Sequence, residues 1–208
     1  FVHITTPEVY GSTDDWIEEN THYNPSTPYA VSRAAADMLI RAYIENQSFP
    51  AVLTRAANVY GPGQQLYRVI PRTIFKALNR KKLELHGGGL SERSFIYMDD
   101  VAEATMLIAE KGKIGDTYHI STENTITIRE VVELILDLLN LEFEENVEIT
   151  EDRKGKDKAY KLNSMKLRNE IGWKDKIRLS EGIEKTINWV KNNMDELKKT
   201  PEDYTHKK

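Results

Sequence analysis

Pro28-Tyr29-Ala30-Val31-Ser32-Arg33 heads a stretch that runs apolar to Asn46, and the reading of the fold starts there. Pro28 suits the first turn of a helix, where its missing N–H costs nothing. Tyr29 and Arg33 are four residues apart and so lie on one face of that helix. A phenol titrates near pH ~10 when free, and a neighbouring cation favours its ionised form, so the pair has the makings of a proton-transfer device. Asp37 and Arg41 continue the same row, which equally reads as a surface ladder of ion pairs. Ala30, Val31, Ala34, Ala35, Met38, Leu39, Ile40, Tyr43 and Ile44 make the helix apolar nearly all round, which predicts burial on more than one side.

Working outward, Phe1 to Thr5 reads as a buried strand before the helix and Ala51 to Val59 as a strand after it, giving a βαβ unit. Each strand ends in polar and glycine-containing sequence, Thr5-Thr6-Pro7-Glu8-Val9-Tyr10-Gly11 and Asn58-Val59-Tyr60-Gly61-Pro62-Gly63. The carboxyl ends of strands are where open α/β sheets place ligands. Beyond them the pattern predicts a helix over 70–79, a strand over 83–86, a flexible turn at Gly87-Gly88-Gly89 and a strand over 94–97. Asp99-Asp100 is placed to cap a helix over 101–111, and a strand follows over 115–120. Thr127-Ile128-Arg129-Glu130 has capping-box spacing and opens a helix to about 139. A strand over 147–150, a charged loop over 151–157, helices over 164–171 and 181–197 (the second capped by Ser180) and a fraying polar tail complete the chain. The fold class is α/β, the C-terminal part of a Rossmann-like parallel sheet with a smaller α+β domain. Residues 1–62 are assigned to the sheet domain, 63–197 mostly to the second domain with some elements returning to the first, and 198–208 to the tail.

Composition narrows the chemistry. The 208 residues carry a net charge of -4, which gives no electrostatic reason to expect nucleic acid or an anionic membrane as partner. Without cysteine there is no disulfide, thiolate nucleophile or thiolate metal site. The five histidines show no short ligand spacing, so no metal is expected. No apolar run approaches the ~20 residues of a membrane span, and a cytoplasmic protein is the expectation.

Six stretches taken in order resemble the extended short-chain dehydrogenase/reductase family that modifies nucleotide sugars, with dTDP-glucose 4,6-dehydratases as the nearest likeness. They are Thr6-x-Glu8-Val9-Tyr10-Gly11, Tyr29-x-x-x-Arg33, Asn58-Val59-Tyr60-Gly61-Pro62, Arg93-Ser94-Phe95-Ile96-Tyr97, Arg153-x-Gly155-x-Asp157-x-x-Tyr160 and Gly172-Trp173. The resemblance implies an enzyme using NAD, with NADP left open, on a nucleoside-diphosphate sugar, and a homodimer. It also implies that the glycine-rich NAD loop precedes the point where this sequence starts. Among matching positions, Tyr29 takes the C4 hydroxyl proton with help from Thr6, Glu8 removes the C5 proton, and Arg33 joins Tyr29 in holding the cofactor. Arg93 and Arg153 clamp the diphosphate, Asn58, Arg68 and Asn124 add polar contacts, Glu84 and His86 line the base, and Tyr160 covers its far side. Two positions depart from the family pattern: Pro7 stands where dehydratases have an aspartic acid, and Arg33 where the family has lysine. Pro7 suits a 4-epimerase or a UDP-glucuronate decarboxylase as well, or a nucleotide-sugar-binding fragment without turnover.

Overall fold

The computed structural model describes residues 1–13, 15–151 and 161–203, which form two compact units. The first comprises Phe1–Val59, Arg93–Thr125 and Asp157–Lys176, the second Tyr60–Glu92, Ile126–Lys156 and Ile177–Lys208.

The first unit is built on a parallel sheet of three strands, Val2–Thr5, Val52–Ala56 and Thr117–Ile120, with Val52–Ala56 in the centre. Val2 pairs with Val52, and Leu53 with Thr117. The strand expected to run on to Val59 leaves the sheet at Ala57, whose N–H still reaches the Ile120 carbonyl. Asn58 opens a separate strand that pairs with Phe95–Tyr97.

Alternation along a strand sends successive side chains to opposite faces, and here the two faces differ in kind. Val52, Tyr118 and Ile120 pack on one side with Ala104, Ile108, Leu167, Ile171 and Trp173 from the helices Met98–Lys111 and Met165–Ile171 and the residues after them. The other face presents His3, Arg55 and Thr117 to the long helix Pro28–Gln47, and His119 to Tyr10 in the turn before it.

That helix corrects two expectations. Its buried residues are Ala30, Ala34 and Asp37, a narrow stripe of small and charged side chains. Its large apolar residues point away, with Val31, Met38 and Leu39 exposed by 53%, 56% and 58%. So within the described residues the helix is buried on one side. Nor do Arg33, Asp37 and Arg41 form a surface ladder. Asp37 is withdrawn to pair with Arg55 and His3, and Arg41 bonds Thr117 Oγ1 at 2.7 Å. Burial decides this, because a carboxylate removed from water requires a partner held in the interior.

Asp99 and Asp100 fall in the first turn of a helix that starts at Met98, and neither caps it. Asp100 is buried instead, with Oδ1 accepting the Lys176 N–H at 3.0 Å and its carbonyl accepting Trp173 Nε1 at 3.1 Å.

The second unit pairs Leu83–His86 in parallel with Val147–Thr150 and packs them under the helices Val69–Leu78 and Ile128–Leu139. The capping box forms as expected: Thr127 Oγ1 accepts the Glu130 N–H, and the Glu130 carboxylate accepts the Thr127 N–H at 2.8 Å. The three glycines form a 3-10 turn rather than a loose one. Gly89 has φ of +72°, and a Cβ there would stand 2.8 Å from the Arg129 nitrogen. The last long helix is Leu179–Asn192, entered without a side-chain cap from Ser180, and a separate turn follows at Met194–Leu197. The tail is held as far as Asp203, through Lys81 with Glu202 and Arg72 with Asp203.

Candidate active site

At the carboxyl end of the first strand the chain turns sharply. Thr6 is extended, and its Oγ1 accepts the Glu8 N–H at 3.3 Å, capping a 3-10 turn over Pro7–Tyr10. With an amide N–H already on its oxygen, the Thr6 hydroxyl keeps its own proton to donate. Pro7 fits the first position of that turn for the reason it fits a helix start. Gly11 closes the turn at φ of +72°, where a Cβ would lie 2.4 Å from the Asn24 carbonyl, so no other residue is accommodated without displacing the backbone.

The long helix begins beside this turn. Thr27 caps it through the Ala30 N–H at 3.1 Å, and Pro28 occupies its first turn. Ala34 packs with Val9 and Tyr10, which carry Glu8 as their chain neighbour. Arg33 donates to the carbonyl of Ile4 in the first strand. Thr6, Glu8, Tyr29 and Arg33 are therefore brought to the strand's end and the helix's start. Thr6 is buried, Glu8 and Arg33 half-buried, and Tyr29 55% exposed. Two buried polar atoms here have no hydrogen-bond partner, Thr5 Oγ1 and Arg33 Nε. Such atoms carry a desolvation cost unless something completes them, and a ribose hydroxyl is a group both suit. The residues present thus fit a nicotinamide nucleotide.

The remaining expected positions divide between the units. In the first, Asn58 Nδ2 donates to the Ser94 carbonyl at 3.3 Å, Arg93 is half-buried, and Asn124 is exposed with its N–H on Thr122 Oγ1 at 3.4 Å. In the second, exposed Arg68 lies 5.4 Å from the Tyr67 ring centre. Glu84 is exposed on its strand, and His86 Nδ1 lies 2.8 Å from Thr150 Oγ1. Arg153 and Tyr160 lie outside the described residues.

Beneath the turn lies a polar cluster that the sequence reading passed over. Arg55, fully buried in the central strand, donates through Nη2 to Asp37 Oδ2 at 2.8 Å and to the Tyr23 hydroxyl at 3.2 Å. Its Nη1 donates to the Tyr10 hydroxyl, and the guanidinium carbon sits 4.4 Å from the Tyr10 ring centre. Tyr10 passes the bond on to His119 Nε2 at 2.8 Å, while His119 Nδ1 donates to the Asn163 carbonyl at 3.2 Å. That direction requires a neutral imidazole protonated at Nδ1. Burial first, then the Arg55 charge, push the His119 pKa down to about 3. Burial likewise raises the Tyr10 phenol, with Arg55 pulling the other way. Glu19 accepts the His119 N–H at 2.7 Å and is also raised by burial. The signal was present in the sequence: an arginine in the strand Ala51-Val52-Leu53-Thr54-Arg55-Ala56 and an aspartate in an alanine-rich helix each demand a partner.

The pattern of the GDP-mannose 4,6 dehydratase family matches residues 1–186. The dTDP-D-glucose 4,6-dehydratase of Bos taurus is 37% identical over 199 residues, covering 93% of this chain and 56% of the relative. The dTDP-glucose 4,6-dehydratase of Neisseria gonorrhoeae is 35% identical, covering 93% and 60%. Among solved structures, dTDP-glucose 4,6-dehydratase from Streptomyces venezuelae with NAD bound superposes with a TM-score of 0.88 at 33% identity, over 93% of this chain and 60% of that one. UDP-glucuronic acid 4-epimerase from Bacillus cereus, in complex with UDP-glucuronic acid and NAD, gives 0.86 at 26% identity over 92% and 61%. The chain spans a little over half the length of the curated relatives it matches. With the parallel sheet, the capped turn after its first strand and the tyrosine-bearing helix beside that turn, these matches make the chain a member of the GDP-mannose 4,6 dehydratase family.

Proposed function

We propose that this chain supplies the catalytic helix and the nucleotide-sugar-binding portion of an NAD-dependent 4,6-dehydratase acting on a nucleoside-diphosphate hexose, dTDP-glucose being the first candidate. What supports the reading is the capped turn that carries Thr6 and Glu8, packed against the helix that carries Tyr29 and Arg33, in a chain 37% identical to a dTDP-D-glucose 4,6-dehydratase. NAD, when bound, supplies the hydride acceptor and donor. Thr5, Tyr29 and Arg33 hold its ribose. Tyr29 takes the proton of the C4 hydroxyl, and the Thr6 hydroxyl, its oxygen already occupied by the Glu8 N–H, donates to that same sugar oxygen. The ketone so formed acidifies C5–H, and Glu8 removes that proton. Each general acid–base step of this kind contributes ~10²–10⁴-fold. Pro7 has no proton to give, so the departing 6-hydroxyl is protonated by water or by the Glu8 carboxyl that has just taken the C5 proton. The family resemblance assigns the diphosphate to Arg93 and Arg153 through charge-assisted bonds, further polar contacts to Asn58, Arg68 and Asn124, and the base to Glu84, His86 and Tyr160.

The enzyme acts as a cytoplasmic homodimer, and the apolar residues that the long helix turns outward support the pairing. The test is to incubate the full-length protein with NAD and dTDP-, UDP-, GDP- and CDP-hexoses. A 4-keto-6-deoxy sugar is expected. A 4-epimer, a pentose, or no product from any of them overturns the reading.

A further inference from the structure

We propose that Arg55 is a positioning residue, holding the turn that carries Glu8 in register with the helix that carries Tyr29. The proposal rests on the proton-transfer roles given above to those two residues.

Ala34 of the helix packs against Val9 and Tyr10 of the turn, and apolar contact of this kind has no direction. Arg55 supplies direction. From the central strand one edge of its fork reaches Asp37, one helical turn beyond Arg33, and the other reaches Tyr10, two residues beyond Glu8. Nη1 and Nη2 also reach the Asn20 carbonyl at 3.4 Å and the Tyr23 hydroxyl at 3.2 Å, so the loop after the turn is gathered to the same group. Strand, turn, loop and helix thus converge on one rigid planar cation, geometry that an ammonium does not reproduce.

Stability alone gives little reason for this arrangement. An ion pair fully removed from water is often no better than apolar side chains of the same volume. Asp37 and Arg55 are both fully buried, in a layer where leucine and valine are the ordinary occupants. What the pair contributes beyond packing is a fixed angle between two elements whose side chains must reach one sugar from different directions. Misplacement by ~1 Å at a reacting centre costs on the order of 10²-fold.

Three variants test this: Arg55→Met, Arg55→Lys and the milder Tyr10→Phe, which keeps the Asp37 pair and the ring packing but deletes the link to the turn. In the full-length protein with NAD and dTDP-glucose, Arg55→Met is expected to lower kcat by ~10–10²-fold with KM unchanged. Reduced cofactor should accumulate, read by its absorbance, while exchange of C5–H with solvent deuterium is lost. Tyr10→Phe should give the same partition in weaker form, and Arg55→Lys should not restore it. Residues 1–208 contain no cysteine, so once any cysteine elsewhere in the full-length protein is replaced, spin labels at Ser12→Cys and Glu45→Cys report the turn–helix distance without background. One narrow distance population is expected for the parent and a broad one for Tyr10→Phe and Arg55→Met. An unchanged narrow distribution in both variants overturns the proposal, as does a fall in which oxidation and C5 exchange decline together. If Arg55→Met fails to fold, Tyr10→Phe alone decides. If the parent makes no keto sugar, the dehydratase reading fails, and the spin-label distances alone decide the role of Arg55.

Discussion

Asp37 shows how far the identity of one neighbour can change a residue's meaning. Read along the helix it belongs between Arg33 and Arg41, in a row worth a few tenths of a kcal/mol per pair. Folded, it is the sole carboxylate bonded to the Arg55 guanidinium among the described contacts. Asp37→Asn keeps the shape but leaves that guanidinium buried without its counter-charge, which should destabilise by ~3–5 kcal/mol. Urea unfolding measures it, and a loss below ~1 kcal/mol, the value of a surface pair, would contradict the account. His119 makes a pH prediction. Its folded pKa of about 3 lies below the ordinary value of 6.5, so between those limits the unfolded chain binds a proton that the folded chain refuses. Stability from this group is present above pH ~6.5 and is lost as the pH falls toward 3. Glu19, raised by burial, runs the other way through the carboxylate range. His119→Gln should therefore flatten the acid side of a plot of urea midpoint against pH, relative to the parent. A parallel curve would show that the imidazole is not held neutral.

Among the elements, the long helix was the hardest to read. Its start was legible from Pro28 as a first-turn proline, the Thr27 cap being added by the structure, and the capping box at Thr127 was equally plain. These signals act within four residues and need no tertiary partner. Which face turns inward is another matter. The helix buries Ala30, Ala34 and Asp37 and shows Val31, Met38, Leu39 and Tyr43 to the outside, the reverse of the usual rule. The polar face of the sheet explains the choice, because His3, Arg55 and Thr117 find their partners Asp37 and Arg41 on the helix. This outward apolar stripe is the basis of the homodimer proposed above. Leu39→Glu together with Met38→Lys should convert a dimeric full-length protein to monomer in sedimentation velocity. A parent that is monomeric at every concentration removes the dimer from the functional reading.

Taken whole, each unit is assembled from separated stretches of chain, the first from Phe1–Val59, Arg93–Thr125 and Asp157–Lys176. Strands and helices were legible one by one from period and punctuation, and the family resemblance ordered them. The end of the Val52–Ala56 strand was missed because the departure at Ala57 is fixed by a carbonyl on Ile120 and the next strand by one on Ser94, both distant in the chain. Pro7 carries a prediction that concerns the whole reaction. Pro7→Asp keeps a residue suited to the first turn and adds the acid that dehydratases have there by resemblance, so formation of 4-keto-6-deoxy sugar should rise by ~10-fold or more. Equal rates would mean that protonation of the leaving hydroxyl does not limit turnover. By itself the sequence determined the class of fold, the helix starts at Pro28 and Ile128 and the residue types proposed to handle protons and phosphates, because these follow from local dihedral preference, short-range capping and side-chain chemistry. Only the tertiary structure decided that Arg55, Asp37, Tyr10 and His119 form one buried network. Partners for charges removed from water are chosen by distance in space, and residues 10, 37, 55 and 119 acquire that closeness only when strand, turn and helix have packed.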